Sequence, residues 1–221
     1  MLGKKIKFKK AKTPSKTILN GKYVTLEPIN IKKHSKDLYV NFSRDKKNKI
    51  WTYLPYGPFK NFESFKKWLE YFCLDKDPFF YAIFSKSHKQ YCGMASYLRI
   101  TPQHGTIEVG HINYSPLLQN TTEGTATMYL MMKYAFEDLG NRRYEWKCNN
   151  LNTSSKNAAI RLGFKYEGVF RQMFVVKGRN RDSAWFSIVD KEWKKIKQGY
   201  LKFLSTKNLD KHFKQKRKLK F

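Results

Sequence analysis

A chain of 221 residues with 41% hydrophobic and 16% aromatic content can bury a sizeable core, and its length fits one domain. Its formal net charge of +28 points to an acidic or phosphate-bearing partner, or to a heavily solvated surface. No apolar run is long enough to span a bilayer, and the basic N-terminus from Met1 to Phe8 lacks the apolar stretch of a secretory signal, so no membrane association is expected.

Much of the charge lies at the two ends. Residues 1–22 carry eight lysines and no acid, and residues 194–221 carry eleven basic residues against Asp210. Lysine outnumbers arginine and asparagine is frequent, a bias that an AT-rich genome also produces, so two flexible, solvated ends account for it. The alternative is a weak contact of the tail from Lys211 to Lys220 with RNA, a ribosome or an acidic protein. That tail lacks the arginine forks and stacked aromatics that direct base reading requires. The organisation expected is a basic flexible arm over residues 1–18, one folded domain over 19–193, and a basic helix or tail over 194–221. Cys73, Cys92 and Cys148 are odd in number and widely spaced. They fit no zinc pattern and read as reduced thiols of a cytoplasmic protein with no metal site.

In chain order, the patterning predicts a strand at Tyr23–Pro28 and a helix near Lys32–Phe42. A loop rich in aromatics and prolines follows from Ile50 to Phe59. Asn61 opens a helix with Phe62, Phe65, Trp68, Leu69 and Phe72 at helical spacing. Strands are predicted at Phe79–Phe84 and Gly93–Arg99, then a turn at Thr101–Gly105 and a strand over Ile107–Tyr114. The next helix puts Met128, Met131, Met132, Ala135, Phe136 and Leu139 on one apolar face, where the methionines read as core filler. A strand at Arg143–Cys148, a short helix at Thr153–Leu162 closed by Gly163, and strands near Val169–Val176 and Ala184–Val189 complete the list. There is no internal repeat.

The segment from Ile107 to Leu139 is the most informative. A strand feeds the polar loop Gln119-Asn120-Thr121-Thr122-Glu123-Gly124-Thr125-Ala126, and the Met-rich helix starts directly after it. Free N–H groups at a helix start, with the positive end of the helix dipole, hold phosphate. Gly124 and Ala126 lack the bulk that would keep a diphosphate from the backbone. An ordinary threonine-rich N-cap gives the same pattern.

The following order is strand, Asn149-Asn150-Leu151-Asn152 loop, short helix, then Gly163-Phe164. The pattern Asn152-x-x-Ser155-x-x-x-Ala159-x-Arg161-x-Gly163-Phe164 resembles the acetyl-CoA helix of the GCN5-related N-acetyltransferase (GNAT) superfamily. The run Gly178 to Ser187 and on to Trp193 is similar to the closing strands of the branch that acetylates the N-termini of ribosomal proteins. The resemblance covers roughly Leu19 to Trp193. It implies an α/β fold in which a mixed central sheet, splayed between two parallel strands, is flanked by helices. It also implies acetyl-CoA as co-substrate and a primary amine, on a protein or a small molecule, as acceptor in a ternary complex. The enzyme is expected as a monomer or homodimer. A catalytically weak member of the fold that engages RNA or ribosomes through basic tails is the rival reading.

The resemblance also implies roles. Ile112, Asn113 and Tyr114 would offer backbone to the pantetheine arm and an N–H to the oxyanion. Gln119, Thr121, Thr122, Glu123, Gly124, Thr125 and Ala126 would form the diphosphate loop, although Thr121 stands where the family carries Gln or Arg. Asn152 and Ser155 would reach the cofactor near its thiol, or simply cap their helix. Gly110 marks a bulge that opens the splay, or is an ordinary strand glycine. Glu108 and Glu145 are the candidate general bases, Glu108 preferred. The tyrosine that protonates the leaving thiolate in many relatives is replaced by Ala159. Trp51, Tyr53 and Tyr56 would line the acceptor pocket, or plug the edge of the core. His104 and His111 read as structural.

Overall fold

The computed structural model describes residues 2–210 and 215–221. Its strands join into one eight-stranded sheet of order β1-β2-β3-β4-β5-β6-β8-β7. These are β1 (Leu19–Asn20), β2 (Val24–Pro28), β3 (Phe79–Ser85), β4 (Gln90–Thr101), β5 (Thr106–Tyr114), β6 (Arg143–Asn149), β7 (Lys165–Val176) and β8 (Arg179–Val189). Every pairing is antiparallel except β5 with β6. The expected mixed sheet and flanking helices are therefore present.

Helices cover both faces. Against one face lie α3 (Thr122–Lys133), α4 (Thr153–Arg161) and α5 (Asp190–Phe203), around a core that includes Leu26, Tyr97, Val109, Met131, Met132 and Tyr144. Against the other lie α1 (Ile31–Phe42) and α2 (Phe62–Phe72), around Leu38, Phe42, Phe65, Leu69, Phe80 and Met94. Asn30 caps α1, accepting the Lys33 N–H at 3.0 Å, and Asn61 forms a reciprocal capping box with Ser64. The methionine stripe of α3 is buried in the core, as its spacing predicts.

Strands β7 and β8 start four and five residues earlier than expected. Their first residues are polar and β7 is the sheet edge, so period-two hydrophobicity does not mark them. The boundary expected after Trp193 falls inside α5, because Ile196, Tyr200 and Phe203 bury the same helical face as Trp193. The expected flexible arm lies against the body. The Ala11 N–H donates to Pro102 O at 3.1 Å, the Lys12 N–H donates to Leu139 O at 2.8 Å, and Ala11 is buried. Residues 211–214 of the expected RNA-contacting tail lie outside the described residues. Among the described residues no helix is long and apolar enough to cross a membrane.

Candidate active site

The parallel pair β5–β6 is hydrogen-bonded in register from Thr106 opposite Arg143 to Val109 opposite Trp146. There the pairing ends, although β5 continues to Tyr114 and β6 to Asn149. The cause lies in the β4–β5 ladder. Ser96 opposes Gly110 and Met94 opposes Asn113, so one extra residue of β5 is looped out. His111 takes the left-handed conformation that this bulge needs, φ 49°. The bulge therefore falls one residue beyond Gly110, whose missing Cβ instead leaves room for Leu98 Cδ2, which would stand 2.8 Å away. A cleft of about 1150 Å³ runs through the resulting gap.

One half of the cleft is bounded by the starts of α3 and α4. Thr121 is the N-cap of α3: its Oγ1 accepts the Gly124 N–H at 3.0 Å and donates to Leu118 O at 2.7 Å. The N–H groups of Thr122 and Glu123 have no intrahelical acceptor by helix geometry. Gln119 Nε2 donates to Tyr114 O at 2.8 Å, tying the loop to the end of β5. At Gly124 a Cβ would meet Leu118 O at 2.7 Å, so the glycine is required by close packing as well as by its place on the cleft wall. Arg161 donates from α4 to Thr125 Oγ1 at 3.2 Å, bringing a cation to the positive end of α3. The free amides, the absent Cβ and this guanidinium suit the diphosphate of a nucleotide cofactor.

Three residues expected in this loop are placed otherwise. The side chain of Glu123 turns away, where its carboxylate accepts Ser85 Oγ–H at 2.5 Å and the Ser87 N–H at 3.0 Å. Thr122 and Ala126 do not line the cleft; Ala126 belongs to the core. Gln119, Thr121, Gly124, Thr125, Ile112, Asn113 and Tyr114 do line it.

Asn152 both caps α4, accepting the Ser155 N–H at 3.1 Å, and lines the cleft. Ser155 also lines it while its Oγ accepts the Trp146 indole N–H at 3.0 Å. Ala159 is fully buried in the core and does not reach the gap.

The two candidate carboxylates stand opposite each other, Glu108 on β5 and Glu145 on β6. Lys147 Nζ joins them at 2.8 Å and 2.7 Å, and lies 3.7 Å from the centre of the Trp185 ring. Only Glu108 lines the cleft. It is 3% exposed, and Arg99 also reaches its Oε2 at 2.7 Å. Burial pushes its pKa up, and Lys147 and Arg99 offset that only in part. Burial acts the same way on Glu145, but hydrogen bonds from Arg143 and Lys147 outweigh it and leave that pKa lowered.

The acceptor aromatics are also sorted by the structure. Trp51 is buried in the α1–α2 core, and Tyr56 does not line the cleft directly. Tyr53 does, and its hydroxyl donates to Leu151 O at 3.1 Å. His111, read as structural, stands on the cleft wall with Nδ1 3.0 Å from the Tyr56 hydroxyl and the two rings stacked. Burial, then the charges of Arg99 and Arg181, lower its pKa to about 4, so the imidazole is neutral. Arg99, Lys147 and Arg181 are further wall residues that no local motif marks, and Arg161, on the same wall, belongs to the Asn152–Phe164 pattern. The left-handed tolerance of His is the one signal that singles out position 111.

Comparison with known proteins agrees with this geometry. A family model described as an acetyltransferase (GNAT) domain matches residues 24–165. A GCN5-related N-acetyltransferase from Brucella melitensis is 41% identical, with a TM-score of 0.92 over 95% of both chains. A protein assigned to the GNAT acetyltransferases from Chromobacterium violaceum is 36% identical, with a TM-score of 0.81 over 88% of this chain and 96% of its own. The microcin C7 self-immunity acetyltransferase MccE, solved with acetyl-CoA and AMP, shares the fold at 22% identity and a TM-score of 0.66, over 76% of this chain and 93% of its own. No curated protein matches the chain. A splayed parallel pair, a phosphate-type helix start at one side of the gap, and a family match over most of the sheet together settle the assignment: the chain belongs to the GNAT family of acetyltransferases.

Proposed function

We propose that the protein transfers an acetyl group from acetyl-CoA to a primary amine, on a protein N-terminus or a small molecule, in a ternary complex. The observation that carries this is the gap itself. It joins a cation-flanked helix start to a buried carboxylate on the neighbouring strand. Thr122 and Glu123 would offer backbone amides to the diphosphate, with Arg161 beside them. The unpaired end of β5, from Ile112 to Tyr114, would bind the pantetheine arm as a strand binds its neighbour. Asn152 and Ser155 face the same channel.

Bound acetyl-CoA supplies a thioester carbonyl. Glu108 then takes the proton of the incoming ammonium, its Oε2 being held by Lys147 and Arg99. A carboxylate with a raised pKa accepts that proton better than an exposed one. A main-chain N–H just beyond the His111 bulge would stabilise charge developing on the acyl oxygen. Ala159, buried, stands where many relatives carry the tyrosine acid. As the C–N bond forms and the C–S bond breaks, CoA would therefore leave as the thiolate and take its proton from water, and positioning would supply most of the acceleration. Three free, buried thiols fit a reducing compartment, and we assign the enzyme to the cytoplasm.

The test is direct. Acetyl-CoA at a hundred times its Kd should stabilise the protein by about 2.7 kcal/mol, seen as a raised Tm. Labelled acetyl-CoA should pass its acetyl group to amines of a cell extract. No thermal shift at millimolar acetyl-CoA would remove the proposal.

A further inference from the structure

Four cations cluster on the sheet face that carries Glu108: Arg99, Arg143, Lys147 and Arg181. Arg99 and Lys147 bind Glu108, Lys147 also binds Glu145, and Arg143 holds Glu145 and Glu167. Three carboxylates are thereby consumed by three cations. Arg181 has no carboxylate partner among the described residues. Its Nε donates to Ser183 Oγ at 3.2 Å, and its guanidinium lies 5.5 Å from the centre of the Phe174 ring. Both Arg181 and Phe174 line the cleft. Burial opposes the charge of Arg181 and lowers its pKa, and the field of Glu108, already bound by Lys147 and Arg99, offsets that only in part.

A second polar group on the same wall is buried and without a partner. Asn113 is 1% exposed, and neither Oδ1 nor Nδ2 has a hydrogen bond. It opposes Met94 across the β4–β5 ladder, and Met94 packs into the α1–α2 core. Asn113 therefore points to the α1–α2 face of the sheet, the face of Glu108, away from the start of α3. A buried amide with no hydrogen bond and a half-buried guanidinium with no carboxylate partner, both on the cleft wall, call for a polar anionic ligand.

The space beside them is spanned twice. The Tyr53 hydroxyl reaches Leu151 O from the loop before α2 to the loop before α4. Lys177 Nζ donates to Trp51 O at 2.9 Å, from the β7–β8 turn to the same early loop. These crossings favour a small acceptor over a folded protein surface.

Resting on the acetyl-transfer reading of this cleft, we propose that the acceptor is a small amine that also carries an oxyanion, a carboxylate or a phosphate, which Arg181 binds. Asn113 hydrogen-bonds the polar atoms between that anion and the amine. The guanidinium fork matches either oxyanion through two parallel N–H bonds.

Matched acceptor pairs test this with the full-length protein. Each amino acid is compared with its carboxamide, and each aminoalkyl phosphate with the corresponding amino alcohol, by release of the CoA thiol. For at least one pair the anionic member should have the higher kcat/KM by about ten- to a hundredfold. That ratio should fall to near one in Arg181→Gln and recover in part in Arg181→Lys. The acetyl-CoA thermal shift of both variants, measured alongside, reports that the cofactor half of the fold is intact. Equal turnover within every pair, a preference that survives Arg181→Gln, or no turnover of any anionic amine by protein that acetyl-CoA stabilises would each overturn the inference. Absence of that stabilisation in the unaltered protein would instead remove the acetyl-transfer reading, and this inference with it.

Discussion

Glu108 and Glu145 occupy the same register of β5 and β6, the last stretch where these strands are paired, and one ammonium, Lys147 Nζ, binds both. Burial and mutual repulsion disfavour two charged carboxylates here. The lysine between them acts against both effects, in full with Arg143 at Glu145 and in part with Arg99 at Glu108. Their roles nonetheless differ, because only Glu108 opens onto the cleft.

From this follows a kinetic asymmetry. Glu108→Gln should lower kcat by about a hundredfold or more, the usual contribution of a positioned base. Glu145→Gln should cost less than about tenfold, through looser holding of Lys147. Because the basic form is the carboxylate, kcat/KM should fall as pH drops through a value above the ordinary carboxylate pKa. Steady-state rates of the two variants between pH 5 and pH 9 decide it (roughly the range over which general bases titrate). Equal losses would show that position on the cleft is irrelevant.

His111 gives a separate pH signature, in stability. Its folded pKa is about 4 against an ordinary 6.5, because the buried ring is kept neutral. Above 6.5 both folded and unfolded forms are neutral, and the residue has no effect. As pH falls from 6.5 towards 4 only the unfolded chain takes the proton, so stability declines, by at most roughly 3 kcal/mol. Below about 4 both forms are protonated and the loss is constant. His34, buried beside Glu27, shifts in the same direction. Thermal unfolding of His111→Gln should therefore show a shallower decline over this window than the unaltered protein, with the His34 contribution retained. Parallel curves would mean that His111 is not held neutral.

Much of the fold is legible from local pattern. Asn61, Asn152 and Thr121 cap helices because a short side chain reaches an N–H two or three residues on, and the spacing of Met128, Met131 and Met132 fixes the buried face of α3. The parts of the site that sequence misplaces depend on residues far away in the chain. Glu123 is claimed by Ser85 and Ser87, Trp51 is drawn into the core by Phe42 and Trp68, and His111 meets Tyr56 only after the sheet forms. Arg181 lies at the start of a strand whose first residues show no apolar alternation. None of these partnerships leaves a periodicity to read.

Glu123 illustrates the consequence for stability. Its carboxylate, on the first turn of α3, is the acceptor for the β3–β4 turn, and it is buried. Glu123→Ala removes the acceptor of the Ser85 hydroxyl and the Ser87 N–H, at a cost of about 1–3 kcal/mol. The effect should appear as a lower midpoint in urea with an unchanged m value. A residue that binds cofactor through its side chain would instead lose acetyl-CoA affinity at constant stability. That outcome would assign the Glu123 side chain, and not only its amide, to the diphosphate.

Arg161 should behave in the opposite way. It is held to the helix start by one hydrogen bond to Thr125 Oγ1, with no carboxylate partner among the described residues, so its removal costs the fold little. Its value lies in the field it adds where the amides of Thr122 and Glu123 point out of α3. Arg161→Ala should leave the unfolding midpoint within about 0.5 kcal/mol of the parent, as for a surface substitution. It should weaken acetyl-CoA binding by about five- to fiftyfold, the loss of one charge-assisted contact to phosphate. The weakening should shrink as salt is raised, because an added ionic atmosphere screens the same phosphate charge. Isothermal titration at two ionic strengths separates this from a lost apolar contact, whose cost would not depend on salt.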